Sequence, residues 1–383
     1  MKLHSIGYSS GVTRAIIGRV TTAQLSSPEE RAQSVLLWKG ETEPNPSDYL
    51  AIITPRTAVP FVVNSPLVRS VTHLDYLADG DVVQVSPSGF VRTLYRKNSR
   101  HNFILTTDQC NSYCLMCSQP PKPINDFQRF EEHLRLIDLI DPNTRELGIT
   151  GGEPTLFKDQ FLQIVDHCKR KLPETALHVL SNGRLFFYSD FARRLAEIEH
   201  PDLMLGIPLY SDIDSEHDYV VQAQGAFEET VIGLHNLARY QIPVELRVVI
   251  HRQTYRRLPR LAEFIARNLP FAAQVALMGL EMTGFVNSNL EGLWIDPHDY
   301  QQQLVLATEA LVAGGMNVML YNQQLCVLDR QLWPFARKAI SDWKNIYLES
   351  CNQCDLINDC GGLFKSSALR HSSHISPIRC ESS

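Results

Sequence analysis

The stretch ILTTDQCNSYCLMCSQPPK, residues 104–122, decides how the chain is read. Cys110, Cys114 and Cys117 are spaced C-x3-C-x2-C on one short loop. Thiolate is the usual protein ligand of iron–sulfur clusters, and three thiolates fill three corners of a cubane. A complete set is four, so one iron stays open, as a catalytic metal keeps one position for its substrate. A zinc loop or chance spacing competes with this reading of the triplet taken alone.

Position separates the two. From Phe103 onward the chain alternates strand, loop and helix. Strands are expected at Phe103–Thr106, Glu146–Ile149, Leu177–Leu180, Met204–Pro208, Val244–Ile250 and Gln274–Leu280. Amphipathic helices are expected at Phe130–Leu139, Phe161–Arg170, Phe191–Ile198, Ala226–Tyr240 and Leu258–Arg267, from apolar residues at three- and four-residue spacing. Six strands alternating with helices predict a parallel sheet, open or closed into a barrel. The cysteine loop then follows the first strand, at the end where barrel chemistry is built. The second strand runs into Gly151-Gly152-Glu153-Pro154. Its glycines permit close backbone approach, and Glu153 offers an acceptor for an ammonium group. The third runs into Ser181-Asn182-Gly183, whose hydroxyl and amide suit a ribose. Each of these turns alone is unremarkable; three after successive strands converge on one mouth.

These motifs resemble those of the radical S-adenosylmethionine (SAM) superfamily. CNSYCLMC is similar to its cluster motif, with Met116 at an aromatic position on the adenine side. TGGEP is similar to its motif for the methionine amino group, and LSNG to its ribose-contacting strand end. Over about residues 103–280 the resemblance implies an α/β fold, a partial (β/α)6 TIM-like barrel. It also implies a [4Fe–4S] cluster on Cys110, Cys114 and Cys117, and S-adenosyl-L-methionine as cosubstrate. The implied reaction is reductive cleavage to methionine and a 5′-deoxyadenosyl radical. Gly151, Gly152, Glu153, Pro154, Ser181, Asn182 and Met116 are the implied cosubstrate contacts. Arg247, in the fifth strand, is a candidate for a carboxylate if it points inward; a structural role is the alternative. Tyr210 and Asp212 follow the fourth strand, as substrate-facing or plain loop residues. His217 and His251 are read as ordinary surface or loop histidines.

The rest of the chain divides around this core: 1–98, 99–320 and 321–383. Residues 1–98 lack cysteine and show short β-rich runs at Ser34–Trp38, Tyr49–Thr54, Pro60–Val63, Asp81–Val85 and Phe90–Tyr95. Turn clusters such as ETEPNPSD separate them, and Ser86–Gly89 is expected to turn a hairpin. A small barrel or sandwich follows. The C-terminal extension carries Cys351, Cys354 and Cys360 as C-x2-C-x5-C, then Cys380. Four thiolates would close an auxiliary iron–sulfur cluster, with Cys380 or Cys326 as the fourth ligand and zinc as the alternative metal. The segment is similar to the auxiliary-cluster extension of peptide-modifying radical SAM enzymes, but Phe364 stands where their next cysteine would be. Cys168 is expected to be a buried small hydrophobe.

Net charge is −6, without a long Lys/Arg block, so no nucleic-acid footprint is expected. No apolar span or signal peptide is read, which predicts a cytoplasmic protein without a membrane segment. The layout as a whole resembles the C-type radical SAM maturase of the His-Xaa-Ser peptide system. That implies a precursor peptide with His-Xaa-Ser repeats, a companion radical SAM maturase, and an electron donor such as flavodoxin or ferredoxin. A radical enzyme acting on a nucleotide or small metabolite is the alternative activity; a non-catalytic cluster-binding partner subunit is the other. The tail itself contains His371-Ser372-Ser373 and His374-Ile375-Ser376. Chance is the simpler account of such short matches, and a substrate-mimicking or self-modified tail the sharper one.

Overall fold

A computed structural model describes residues 3–40, 49–59, 64–338, 345–367 and 370–380. The expected strand Pro60–Val63 and the ETEPNPSD turn lie outside those residues.

The N-terminal region is one mixed sheet, not two stacked ones. Its strands are β1 (His4–Ile6), β2 (Tyr8–Ser10), β3 (Ile16–Thr21), β4 (Ser34–Leu37), β5 (Ala51–Ile53), β6 (Leu67–Arg69), β7 (Val82–Val85) and β8 (Phe90–Tyr95), with short α1 (Pro28–Arg31) before β4. They pair in the order β1-β8-β7-β3-β4-β5-β6-β2. Both end strands belong to one segment, residues 4–10, so the sheet curls until a single stretch pairs with both its edges. Val20, Val35, Ile53, Val68 and Val83 fill its core. Ser86–Gly89 turns the β7–β8 hairpin as expected, with Gly89 at φ +79°. A Cβ there would lie 2.0 Å from the Gly7 carbonyl oxygen, so only glycine fits.

The second sheet positions the site. Its strands are β9 (Asn102–Leu105), β10 (Glu146–Thr150), β11 (Ala176–Leu180), β12 (Leu203–Pro208), β13 (Val244–Ile250), β14 (Gln274–Gly279), β15 (Val318–Tyr321) and β16 (Ala336–Arg337). They pair in chain order, and every pairing is parallel. Two strands therefore follow the six expected, and the sheet runs past residue 320 to Arg337. Both are short, and the glycines at 314 and 315 obscure the approach to β15. Among the described residues β9 and β16 do not pair with each other.

The helices are α2 (Arg129–Leu139), α3 (Lys158–Lys171), α4 (Ser189–Ala196), α5 (Asp214–Val221), α6 (Ala226–Arg239), α7 (Leu258–Asn268), α8 (Val286–Leu293) and α9 (Gln301–Ala313). Strand alternation sorts the residues: Leu246, Val248 and Ile250 join the large core with Val165, Leu234 and Leu261, while Glu245 and Arg247 take the opposite face. Arg19 ties the N-terminal sheet to α2. Its guanidinium donates to the Leu139 carbonyl at 2.9 Å and 3.3 Å, satisfying an unpaired acceptor at the end of α2. Among the described residues no helix is long and apolar enough to cross a membrane. The C-terminal extension adds a two-stranded ribbon, β17 (Asn345–Ile346) against β18 (Leu363–Phe364).

Candidate functional site

A sheet whose strands are all parallel puts every C-terminal strand end on one edge. The loops after β9, β10 and β11 meet there and bond to one another. Gly152 N–H donates to Thr107 O at 2.8 Å, and Glu153 N–H to Gln109 O at 2.8 Å. A Cβ on Gly152 would sit 2.1 Å from Gln109 O, so backbone touches backbone here, as the glycines led us to expect. From the third loop, Asn182 Nδ2 donates to Asn111 Oδ1 at 2.7 Å, inside the cysteine loop.

Glu153 is the joint of the three. It is fully buried. Its Oε1 accepts from Thr155 N at 3.0 Å and Ser181 Oγ at 2.8 Å, and its Oε2 from Asn182 N at 2.6 Å. Burial pushes its pKa up, against the pull of those hydrogen bonds. Glu153, Ser181 and Asn182, expected to hold cosubstrate, are thus first of all bound to each other. Pro154 and Thr155 are buried at the start of the turn that follows.

The cysteine loop is also gripped from residues that spacing did not mark. Asp126 accepts from Thr107 Oγ1 at 2.8 Å and from Asp108 N at 2.6 Å. Burial raises its pKa, but the hydrogen bonds from Asp108, Gln109 and Thr107 and the Arg129 charge outweigh it, so it stays low. Arg184 Nη1 donates to Asn111 O and Ser112 Oγ, while its Nε pairs with Glu229 at 2.6 Å. Tyr113 N and Leu115 N donate to Val221 O and Val220 O at the end of α5. Phe285 N donates to Cys117 O at 2.9 Å. The signal for Arg184 was its place directly after Ser181-Asn182-Gly183. Asp126, nine residues past the last cysteine of the triplet, carried no signal.

The thiols fit a cluster by their chemistry. Burial pushes Cys114 up to about 12, helped by the neighbouring charges of Cys117 and Cys110. It pushes Cys110 to about 11, helped by Glu153, and raises Cys117 as well. Three partly buried sulfurs with raised pKa values suit a strong local cation, which favours their thiolate form. Among the described residues no three or more His, Cys, Asp or Glu side chains gather closely enough to hold one metal ion. Met116 is buried with Tyr210, Val220 and Met282, forming an apolar wall next to the cysteines.

Arg247 does point to the inner face, where it is already paired. Its Nη1 donates to Glu245 Oε1, and Gln274 donates to Glu245 Oε2. His178 Nε2 lies 3.8 Å from Glu245 Oε1. Gly206 makes room, since a Cβ there would lie 3.0 Å from both Arg247 Cδ and His178 Nε2. Asp212 is tied to Arg257 through two hydrogen bonds of 3.0 Å and 2.6 Å. His217 and His251 are not surface residues: they are 2% and 0% exposed. Both ring against Tyr210, at 5.7 Å and 6.2 Å, and burial lowers each to about 4. An isolated histidine gives no sequence sign of such packing.

Four C-terminal cysteines surround one cavity: Cys326, Cys351, Cys354 and Cys360. Cys380 is exposed and does not line it; its N–H is held by Asp355 Oδ2 at 2.7 Å. So the structure brings Cys326, not Cys380, to the other three. Cys326 lies five residues past β15, and that strand's short run hid the approach. Burial raises Cys326, with Cys360 and Cys351 adding to it. Phe364 sits in β18. Cys168 is buried in the main core.

Comparison with known proteins agrees with the fold. The family model for the radical SAM superfamily matches residues 104–265. The Fe-coproporphyrin III synthase of Methanosarcina barkeri is 27% identical over 170 residues, 42% of this chain and 39% of that protein. The GTP 3′,8-cyclase of Campylobacter jejuni is 26% identical over 155 residues, 38% of this chain and 45% of that one. The chain thus spans less than half of either relative. Among solved structures, SuiB of Streptococcus suis bound to S-adenosylmethionine is similar at TM-score 0.44 and 15% identity, over 58% of this chain and 51% of that one. Residues 104–265, which match the radical SAM family model, lie in the parallel α/β sheet, and a β-rich N-terminal region precedes them.

Proposed function

We propose that this chain is a radical SAM enzyme that modifies a ribosomally made precursor peptide of the His-Xaa-Ser type. The observation that carries the reading is the pair of cysteine sites. Three partly buried thiols sit on a loop gripped by the two neighbouring strand-end loops, and a separate four-cysteine cavity shares Gln324, Gly362 and Leu363 with a second cavity at the same sheet edge.

Cys110, Cys114 and Cys117 would hold a [4Fe–4S] cluster. Gly151, Gly152, Glu153, Pro154, Ser181, Asn182 and Met116 would frame the S-adenosylmethionine site. When bound, cluster and cosubstrate supply reductive cleavage and a 5′-deoxyadenosyl radical that abstracts hydrogen. The chain's own residues do the positioning. Glu153, Asn182 and Arg184 fix the cysteine loop without help from the cofactor. Met116 and Tyr210 present apolar surface beside it and keep water away. Arg247, neutralised by Glu245, offers its remaining N–H groups to an acidic group. Cys326, Cys351, Cys354 and Cys360 would hold the auxiliary cluster, a closed site suited to passing on an electron. The companion maturase and a flavodoxin- or ferredoxin-type donor complete the proposed system.

The test is anaerobic reconstitution with iron and sulfide, then S-adenosylmethionine and dithionite, reading 5′-deoxyadenosine. Absence of cleavage in protein shown to carry its clusters would remove the enzyme reading for the chain alone and favour a partner subunit. Co-expression with a His-Xaa-Ser precursor and the companion then reads peptide mass. The names of the two curated relatives favour a second reading, a small-molecule substrate; an unchanged peptide mass would support it.

A further inference from the structure

The described tail of the chain returns to the edge of the sheet where the site is built. A cavity opens between Gly279 at the end of β14, Asn322 just past β15, and Met282 of the loop that leaves β14. His371 and Ser372 form part of its wall. Met282 packs in the same cluster as Met116, and Phe285 of the same loop bonds to Cys117. One loop therefore borders both this cavity and the end of the cysteine loop at Cys117.

The tail is held there by specific polar contacts. Ser372 is 2% exposed, and its hydroxyl and the Ser373 N–H donate to Asp296. The His374 ring stacks on His298 with centroids 3.7 Å apart and planes 8° from parallel. The Arg370 guanidinium lies 4.0 Å over the Trp294 ring, and His371 Nδ1 is 3.2 Å from Ser367 O. The first tripeptide is held through its middle residue, Ser372, and the backbone of Ser373, and the second through its histidine, His374. Binding through hydrogen bonds and ring stacking is modest in strength and sequence-dependent, so another segment of the same form can take it over.

We propose that residues 370–376 are a resident pseudo-substrate, occupying the docking site for the His-Xaa-Ser segment of the precursor, which must displace them to bind. The inference rests on the peptide reading above. It assigns His298 as the residue that stacks on the substrate's imidazole and Asp296 as the acceptor for a hydroxyl at the middle position and for the backbone N–H of the serine that follows.

The probe is a fluorescent synthetic peptide of three His-Xaa-Ser repeats, titrated into the cluster-loaded full chain and followed by anisotropy. The paired measurement is trypsin cleavage after Arg370 in the wild-type protein. Displacement predicts faster cleavage as peptide is added. It also predicts that S372A/H374A binds the peptide about three- to tenfold more tightly, because the competing state is weakened. Peptide that binds wild type without speeding cleavage would overturn the proposal and leave the tail as a fixed wall, whatever the double variant does. Peptide that binds neither protein removes the peptide reading itself, and this proposal with it.

Discussion

The two cysteine sites are built in opposite ways. The first has three cysteines close together in sequence, on a loop stitched to its neighbours by backbone hydrogen bonds and by Glu153, Asn182 and Arg184. The second gathers four cysteines from positions as far apart as 326 and 360, around a cavity walled by side chains such as Ile346, Leu356 and Ile378. The difference teaches how a ligand set declares its task. Under the function proposed above, the triplet is an incomplete set that needs a rigid frame, because its open position must face a cosubstrate, and the four are a complete set that closes on itself.

The strongest way to break this comparison is to remove the triplet. C110A/C114A/C117A should lower 5′-deoxyadenosine formation at least about a hundredfold, to background, since the effect is loss of a cofactor site. Iron bound at the other site should remain, read by iron analysis and Mössbauer spectroscopy. Loss of all iron would mean that the two sites are not independent. Next in size, C326A should lose the second site's iron and peptide turnover while keeping cosubstrate cleavage. C380A should keep both. The reverse ranking would restore Cys380 as the fourth ligand.

A smaller effect is expected at the frame. E153Q should lower the stability of the loops by about 1–3 kcal/mol, since buried donors at Thr155, Ser181 and Asn182 lose an ionic acceptor. The readout is the denaturation midpoint of the protein before cluster loading. Unchanged stability would mean that the Glu153 joint is dispensable.

The smallest effect concerns pH. Burial lowers His133, His217 and His251 to about 4, well under the unfolded imidazole near 6.5. Each contributes stability present above about 6.5 and lost as pH falls through about 4. Thermal midpoints should therefore fall over that window, and H217F should flatten the fall. An identical slope in the variant would remove His217 from the account.

The parallel sheet was legible because periodicity and turn signals agree: all six expected strands and five expected helices form within a few residues of their expected bounds. β15 and β16 were not, being four and two residues long. In the N-terminal sheet β1 and β2 are three residues each, and β3 carries Gly18 and Arg19 in mid-strand, so no alternation marks them. At the site, motif residues were legible as positions but not as partners. Nothing local to Glu153 says that its carboxylate is spent on Ser181 and Asn182. Cys326 is a ligand candidate by sequence, yet only the tertiary fold brings it to the cavity of Cys360.

The seven residues from His4 to Ser10 have a consequence for synthesis. β1 pairs with β8, so the first strand of the chain has no partner until residues 90–95 have emerged. With that segment unseated, two sheet edges stand open at once, the condition that invites strands of other molecules to add. Seating that one segment caps both, so it works as a latch that hides the two edges from neighbouring molecules in one step.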